Sequence, residues 1–278
     1  MTNIVPFSKT DHADLKVKPL ENLFEYRDRF LLPICGAELT AICRSAPVVI
    51  SKDDSSEPGY GLSMLCSLGT GFDNVWVTPE GSWLTGYVPG IIRQQPFHFV
   101  KSDDNNGVFC IDLDSSMVGK EGADLIEGGE PTEFLQQQIK LVETAFESNR
   151  NTQAALAVID QLDLIAPFDL RVANPDGQEV AMDRDPIYRI NEEKYRNLDD
   201  EAWLKLRHVG AIDMIYAHLF SLGLTQKLAD IYKLKMESSK LKMESSSLDL
   251  DSDDHFLESS ETGDDNLSFD NLELKIDV

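Results

Sequence analysis

The chain has 278 residues, 42% hydrophobic and 27% charged, enough for one large domain or two small ones around an ordinary core. Its 49 Asp and Glu against 25 Lys and Arg leave a formal net charge of −24. Fibrous, collagen-like and wholly disordered chains are excluded, and a field of that sign disfavours nucleic acid and anionic membrane surfaces as partners.

Residues 1–18 are polar, lack a clear period and read as a loosely held arm. From Leu20 to Ala46 the apolar spacing is helical, with Pro33 opening a second segment. Pro47–Ile50 reads as a short buried strand, residues 52–59 (KDDSSEPG) as a charged turn, and Gly61–Leu68 as a strand broken by Gly69-Thr70-Gly71. Asn74–Thr78 and Trp83–Val88 flank a tight turn at residues 79–82, and Pro89-Gly90 opens a short helix or bend before Arg93. Phe97–Val100 and Val108–Leu113 form a hairpin about residues 102–107.

The second half is more helical. Pro131–Asn149 and Asn151–Leu162 are expected as two helices, with Thr132 near the first start. Phe168–Val172 and Glu179–Met182 flank the hairpin turn Asn174-Pro175-Asp176-Gly177. Asp199 caps a helix with Trp203, Leu206 and Val209 on its apolar face. Gly210–Tyr232 is the best amphipathic segment, divisible at Gly223.

Past Tyr232 the composition changes. The heptapeptide KLKMESS at residues 233–239 repeats without change at 240–246. Residues 244–278 carry 12 acidic residues and one Lys, a net of −11. Such a segment buries too little apolar surface to offset the entropy of ordering it. The fold class expected is therefore α+β: a mixed, mostly antiparallel sheet packed by helices 131–162 and 199–232. Residues 1–235 form the globular domain, and 236–278 a disordered, acidic, Ser-rich tail. Leu272, Leu274, Ile276 and Val278 alternate with polar residues, a strand-period pattern suited to pairing with a partner's sheet edge.

No apolar stretch reaches the roughly 20 residues of a spanning helix, and no Sec signal opens the sequence, so no membrane insertion is expected. Cys35, Cys43, Cys66 and Cys110 form no CxxC and accompany no His pair, which points to reduced, buried thiols in a cytoplasmic protein.

No phosphate loop, GxGxxG, HExxH, GxSxG or EF-hand is present, so no cofactor and no metal are assigned, and no residue is marked as catalytic. His12 and His255 lie in the arm and tail, His98 faces solvent or a core edge, His208 sits near a helix C-terminus, and His218 reads as a satisfied interior histidine. Asp112 and Asp114 share a strand face, either as solvated hairpin ends or as a carboxylate pair. The most distinctive cluster is Trp76, Trp83, Tyr87, Arg93 and Phe97. It is either a packed sheet with Arg93 paired to a carboxylate such as Asp112, or a ligand cleft built from Trp83, Tyr87, Arg93, Phe97 and Asp112.

Four segments in order, FLLPICGAELTAICRSAPVVI (30–50), GSWLTGYVPGIIRQQPF (81–97), FCIDLDS (109–115) and VGAIDMIYAHLFSL (209–222), resemble the SapC family of bacterial proteins. Glu38 and Pro47–Ile50 match its Glu-bearing helix and following strand. Trp83, Tyr87, Val88, Pro89, Arg93, Pro96 and Phe97 match its W…YVP…RR-PF stretch. Two departures stand out: the family's second Arg is Gln94 here, and its Asn-Leu-Phe before the Trp stretch is replaced by Asp73-Asn74-Val75-Trp76. The resemblance implies a surface-layer or cell-envelope connection in a Gram-negative bacterium. It supplies no catalytic residues.

The leading functional expectation is a non-enzymatic binding or accessory protein. Its body holds a peptide or small ligand, and its tail engages a protein or peptide partner. An enzyme or enzyme subunit modifying peptides or small molecules is the first alternative, with Asp112, His98 or His218 as acid–base groups. The second is a surface-associated protein exported by a non-Sec route through an uncleaved C-terminal signal.

Overall fold

The computed structural model describes residues 3–68, 73–102, 107–173, 179–181, 186–235 and 238. The tail expectation, the Gly69–Gly71 break and the turns at 102–107 and 174–177 fall wholly or mainly outside them. The chain divides into two units, Met1–Leu234 and Lys235–Val278. In chain order the first runs β1 (Ile4–Pro6), β2 (Lys16–Val17), β3 (Leu31–Ile34), α1 (Leu39–Ile42), β4 (Val48–Lys52), β5 (Tyr60–Leu65) and α2 (Gly90–Arg93). Next come β6 (Phe97–Lys101), β7 (Gly107–Asp112), β8 (Val118–Gly119), β9 (Ala123–Asp124), β10 (Ile126–Glu127), β11 (Glu130–Pro131) and α3 (Glu133–Gln161). Last are β12 (Ile165–Pro167), β13 (Arg171–Ala173), β14 (Glu179–Ala181), β15 (Ile187–Ile190), α4 (Glu192–Arg196), α5 (Asp200–His208) and α6 (Ala211–Ser221).

The architecture is α+β, and the strand pairings of the described residues are antiparallel. There is more than one sheet. A five-stranded sheet has the order β12-β15-β4-β5-β3, and two three-stranded sheets have the orders β1-β7-β6 and β8-β2-β9. Two cores follow. The larger gathers Val48, Ile50 and Leu65 of the five-stranded sheet with Trp76, Leu206 and Ile215. The smaller is built on Phe97, Ile111, Leu125 and Val17.

One element serves both cores. Residues 131–162, expected as two helices, hold a single 29-residue helix, about 44 Å long at 1.5 Å per residue. Nothing between Asn149 and Asn151 breaks it, because Asn costs only a fraction of a kcal/mol mid-helix, roughly 0.7 at most. The Thr132 hydroxyl accepts a hydrogen bond from the Leu135 amide at 3.3 Å and caps the start. Leu135 and Val142 enter the smaller core, and Ala155, Leu156 and Ile159 the larger.

Two expectations are corrected. Residues 3–18 are not a loose arm. β1 pairs with β7 (Ile4 opposite Asp112) and β2 lies between β8 and β9. The sparse apolar positions Val5, Phe7, Leu15 and Val17 supply the reason, since all pack into the smaller core. His12 is buried there as well, its Nδ1 accepting from the Ser8 amide. Residues 20–46 are not mainly helical either. Leu31–Ile34 is a strand with Leu32 and Ile34 buried, Leu31 half-buried and Pro33 exposed, close to a period of two. Pro33, opposite Ser63, is tolerated because β3 is an edge of its sheet.

The remaining expectations map closely. β4, β5, the β6–β7 hairpin, α2 and α5 fall where placed, and the Asp199 carboxylate accepts from the Ala202 amide at 2.8 Å. α6 ends in a 3₁₀ turn over Leu222–Leu224, at Gly223, and residues 225–235 continue as helix. The strands about Trp76 and Trp83 reduce to one bridge, Val77 to Trp83. β12 and β15 were not foreseen. Among the described residues no helix is long and apolar enough to cross a membrane. Cys35, Cys66 and Cys110 are buried thiols and Cys43 is half-buried.

Candidate functional site

The segment from Trp83 to Arg93 lies against the turn that follows β3, and its anchor is a carboxylate. Glu38 is 7% exposed. Its Oε2 accepts from the Cys35 amide at 3.0 Å, and its Oε1 from the Gly90 amide at 2.5 Å and the Tyr87 hydroxyl at 3.2 Å. Glycine at position 90 eases this approach, since a Cβ there would stand 3.1 Å from Oε1 and push the carboxylate back by a few tenths of an ångström. The Tyr87 oxygen in turn accepts from Arg93 at 2.7 Å, while Arg93 Nε donates to the Val88 carbonyl at 2.9 Å. The guanidinium also stacks 4.9 Å from the Tyr87 ring centre. Burial raises the Tyr87 phenol above its ordinary range, and the Glu38 carboxylate adds to that, with Arg93 opposing. The Trp83 indole donates to Thr85 Oγ1 and the Tyr87 carbonyl, at 2.7 and 2.8 Å.

Three of the five residues proposed from sequence are thus brought together. They satisfy one another, and Arg93 pairs with Tyr87 and Val88. The other two lie elsewhere. Phe97 has no exposed surface and stacks on Phe109 at 5.2 Å inside the smaller core. The Asp112 carboxylate accepts from the Asn3 and Asp114 amides, both at 3.1 Å, and so pins β1 to the end of β7. A residue proposed to contact ligand is in each case occupied by the fold, because hairpin alternation does not tell an inner face from an open one.

An open cleft of about 490 Å³ lies across the Glu38 carboxylate, and none of the five lines it. It sits where the five-stranded sheet, β6 and α3 meet. Ile34, Ser51 and Ser63 come from the first, His98 and Phe99 from the second, and Phe146 and Gln153 from the third. α2 closes one side with Gly90, Ile91 and Gln94. The Ser51 and Ser63 hydroxyls are bonded to each other at 2.9 Å. Two lining side chains carry a buried polar atom with no hydrogen-bond partner: His98 at Nε2 and Gln153 at Oε1. Burial lowers the His98 imidazole below its ordinary value, and Asp112 opposes this, so the ring is neutral near pH 7.

The acid–base candidates do not converge. His98 lines the cleft, Asp112 caps the N-terminal strand, and His218 is buried in the larger core with Nε2 accepting from the Ile190 amide at 3.1 Å. No group of three or more metal-ligating side chains occurs among the described residues. Sequence reasoning passed over Gln153, an unremarkable helix residue. It met Glu38 and Gln94 only as points of comparison with a family. The one local signal was the isolated Glu in an apolar run, LLPICGAELTAI, where a buried acid demands partners.

Among known families, the model described as SapC matches residues 7–228. No curated protein and no solved structure matches.

Proposed function

We propose that this chain, which belongs to the SapC family, is a binding protein that holds a small ligand in the cleft between its sheets and α3. One observation carries the reading. In a cavity of about 490 Å³, within the usual range for small-molecule sites, two lining residues leave a buried polar atom unpaired. Native proteins rarely leave such groups without a partner, and an ordered water, an ion, a bound molecule or a functional role accounts for each exception. The Trp83–Tyr87–Arg93 cluster supports the cleft from behind: it fixes Glu38, and Glu38 fixes α2.

Ala145 lines the cleft from α3 and is half-buried. Ala145→Trp is therefore expected to fill the opening with little cost to the fold. Mass spectrometry of molecules released from protein purified out of its native host should show a compound with the wild type that is lost from the variant. Identical profiles for the two proteins would overturn the reading.

The acidic C-terminal segment is, on the strength of its charge and alternating end, the part that engages a partner. This gives the chain an accessory role between ligand and partner, in the cytoplasm or at the cell surface. Deleting residues 240–278 is expected to leave the melting temperature unchanged and to abolish co-purification of that partner. Undiminished co-purification would remove the segment's role.

A further inference from the structure

The five-stranded sheet ends in β12 and β3, and the sheet β1-β7-β6 ends in β1 and β6. Three of these four edge strands contain a proline: Pro167, Pro33 and Pro6. Each proline stands at an outward-facing position of its ladder. The bonds from Phe168 N–H to the Ile187 carbonyl, from Cys66 N–H to the Phe30 carbonyl and from Phe7 N–H to the Phe109 carbonyl fix this, because the edge-strand residue in each lies an odd number of positions from the proline. The N–H that would face a further strand is missing there, which blunts the edge. β6 has no proline. The Asp112 amide donates to the Pro96 carbonyl, so His98 and Val100 carry the bonds to β7 while Phe99 and Lys101 face outward. Phe109, opposite Phe99, agrees by turning its carbonyl to Phe7 on the far side. Among the described residues no backbone bond from outside the hairpin reaches Phe99 or Lys101.

This open edge borders the cleft. His98 and Phe99 both line it, and successive residues of a strand point to opposite faces, so the cavity meets β6 along its side. On one face the Phe99 and Phe146 rings lie 5.5 Å apart. On the other, Val100 and Val108 stand opposite each other, 45% and 37% exposed. Residues of α2 and α3 wall an opening of about 490 Å³, room for a few residues of one chain and not for the edge of a second folded sheet. Resting on the cleft reading above, we infer that the ligand is a short extended peptide that adds to β6 as a further strand. Its backbone exchanges hydrogen bonds with the outward groups of Phe99 and Lys101. Its alternate side chains lie on the Phe99–Phe146 and Val100–Val108 surfaces, which selects a proline-free segment with apolar residues.

Amide hydrogen exchange of the full chain, read by NMR with the probe acetyl-Thr-Val-Phe-Val-Thr-amide, tests this. Saturating probe is expected to slow the Phe99 and Lys101 amides about tenfold or more, and to change His98 and Val100, already bonded to β7, much less. The same probe N-methylated at its three central residues keeps its side chains but loses its backbone donors, and is expected to bind about tenfold more weakly or worse. Lys101→Pro removes one outward N–H at an exposed site and is expected to weaken the probe about threefold to tenfold, while Lys101→Ala leaves it unchanged. Equal binding of the plain and methylated probes would overturn the inference. Protection that appears without peptide and grows with protein concentration would assign the edge to a second copy and overturn it too, as would undiminished protection by the probe in Ala145→Trp. Absence of protection, while a native compound still depends on an open Ala145, overturns the inference and leaves the cleft reading intact. Failure of both experiments would remove both.

Discussion

Glu38→Ala is expected to lower the stability of the folded body by about 3–6 kcal/mol. The estimate counts two buried backbone donors, the amides of Cys35 and Gly90, each losing a charged acceptor whose hydrogen bond contributes about 1.5–3 kcal/mol. The Tyr87 hydroxyl loses the same acceptor, but it sits nearer solvent and still accepts from Arg93. Glu38→Gln retains one acceptor oxygen and turns the other site into a donor facing an N–H, so about half the loss is expected. Urea unfolding at neutral pH ranks the three proteins. A Glu38→Ala variant within about 1 kcal/mol of wild type, the range of ordinary surface changes, would show that the carboxylate does not hold α2. The loss should also reach the cleft, because Gly90, Ile91 and Gln94 form its wall.

The second large effect is a pH dependence. The His218 imidazole is driven from its ordinary 6.5 down to about 4, chiefly by burial, with the Arg189 charge adding and the Val48 backbone opposing. The folded state therefore binds fewer protons than the unfolded chain between those values. Stability is intact above pH 6.5, falls as the pH drops through that window, and is fully lost from this group below about 4. The span corresponds to about 3 kcal/mol. Acidification also relieves the self-repulsion of a −24 chain, which acts in the opposite direction. His98 adds to the loss with the same sign. Comparison with His218→Asn isolates the effect, because both other contributions persist in the variant. The wild-type urea midpoint should fall more steeply between pH 7 and 4 than that of the variant. Parallel curves would show that His218 protonates in the folded protein without penalty.

Much of the fold was legible where a run is apolar and bounded by turn residues. β4 and β5 lie either side of KDDSSEPG, and the Asp199 cap announces α5 by its side chain and acidic first turn. Legibility failed where a few apolar residues are shared between partners distant in sequence. Val5 and Val17 form a pattern only once β7, β8 and β9 are beside them. Leu31–Ile34 was misread because four residues cannot separate a period of 2 from one of 3.6, and the Pro taken as a helix opener is as much at home on a sheet edge. The site divides the same way. Trp83, Tyr87 and Arg93 stand out in the sequence because aromatic and guanidinium groups lie close together, but the structure ties them to one another and to Glu38, outside the cleft lining. The cleft itself draws on Ile34, Ser63, His98 and Gln153, which no spacing rule connects.

The single long helix shared by both cores has a consequence for any guest. Its two halves are pinned to different foundations, and the opening lies along the stretch between them. It acts as a splint across a joint. Widening or shutting the gap by moving the rod would draw apolar side chains at one of its ends out of their core, so packing favours a receptacle that stands ready-made. On the proposed reading, a molecule entering it would be spared the entropic toll of organising its host, and would be selected by fit to a standing shape.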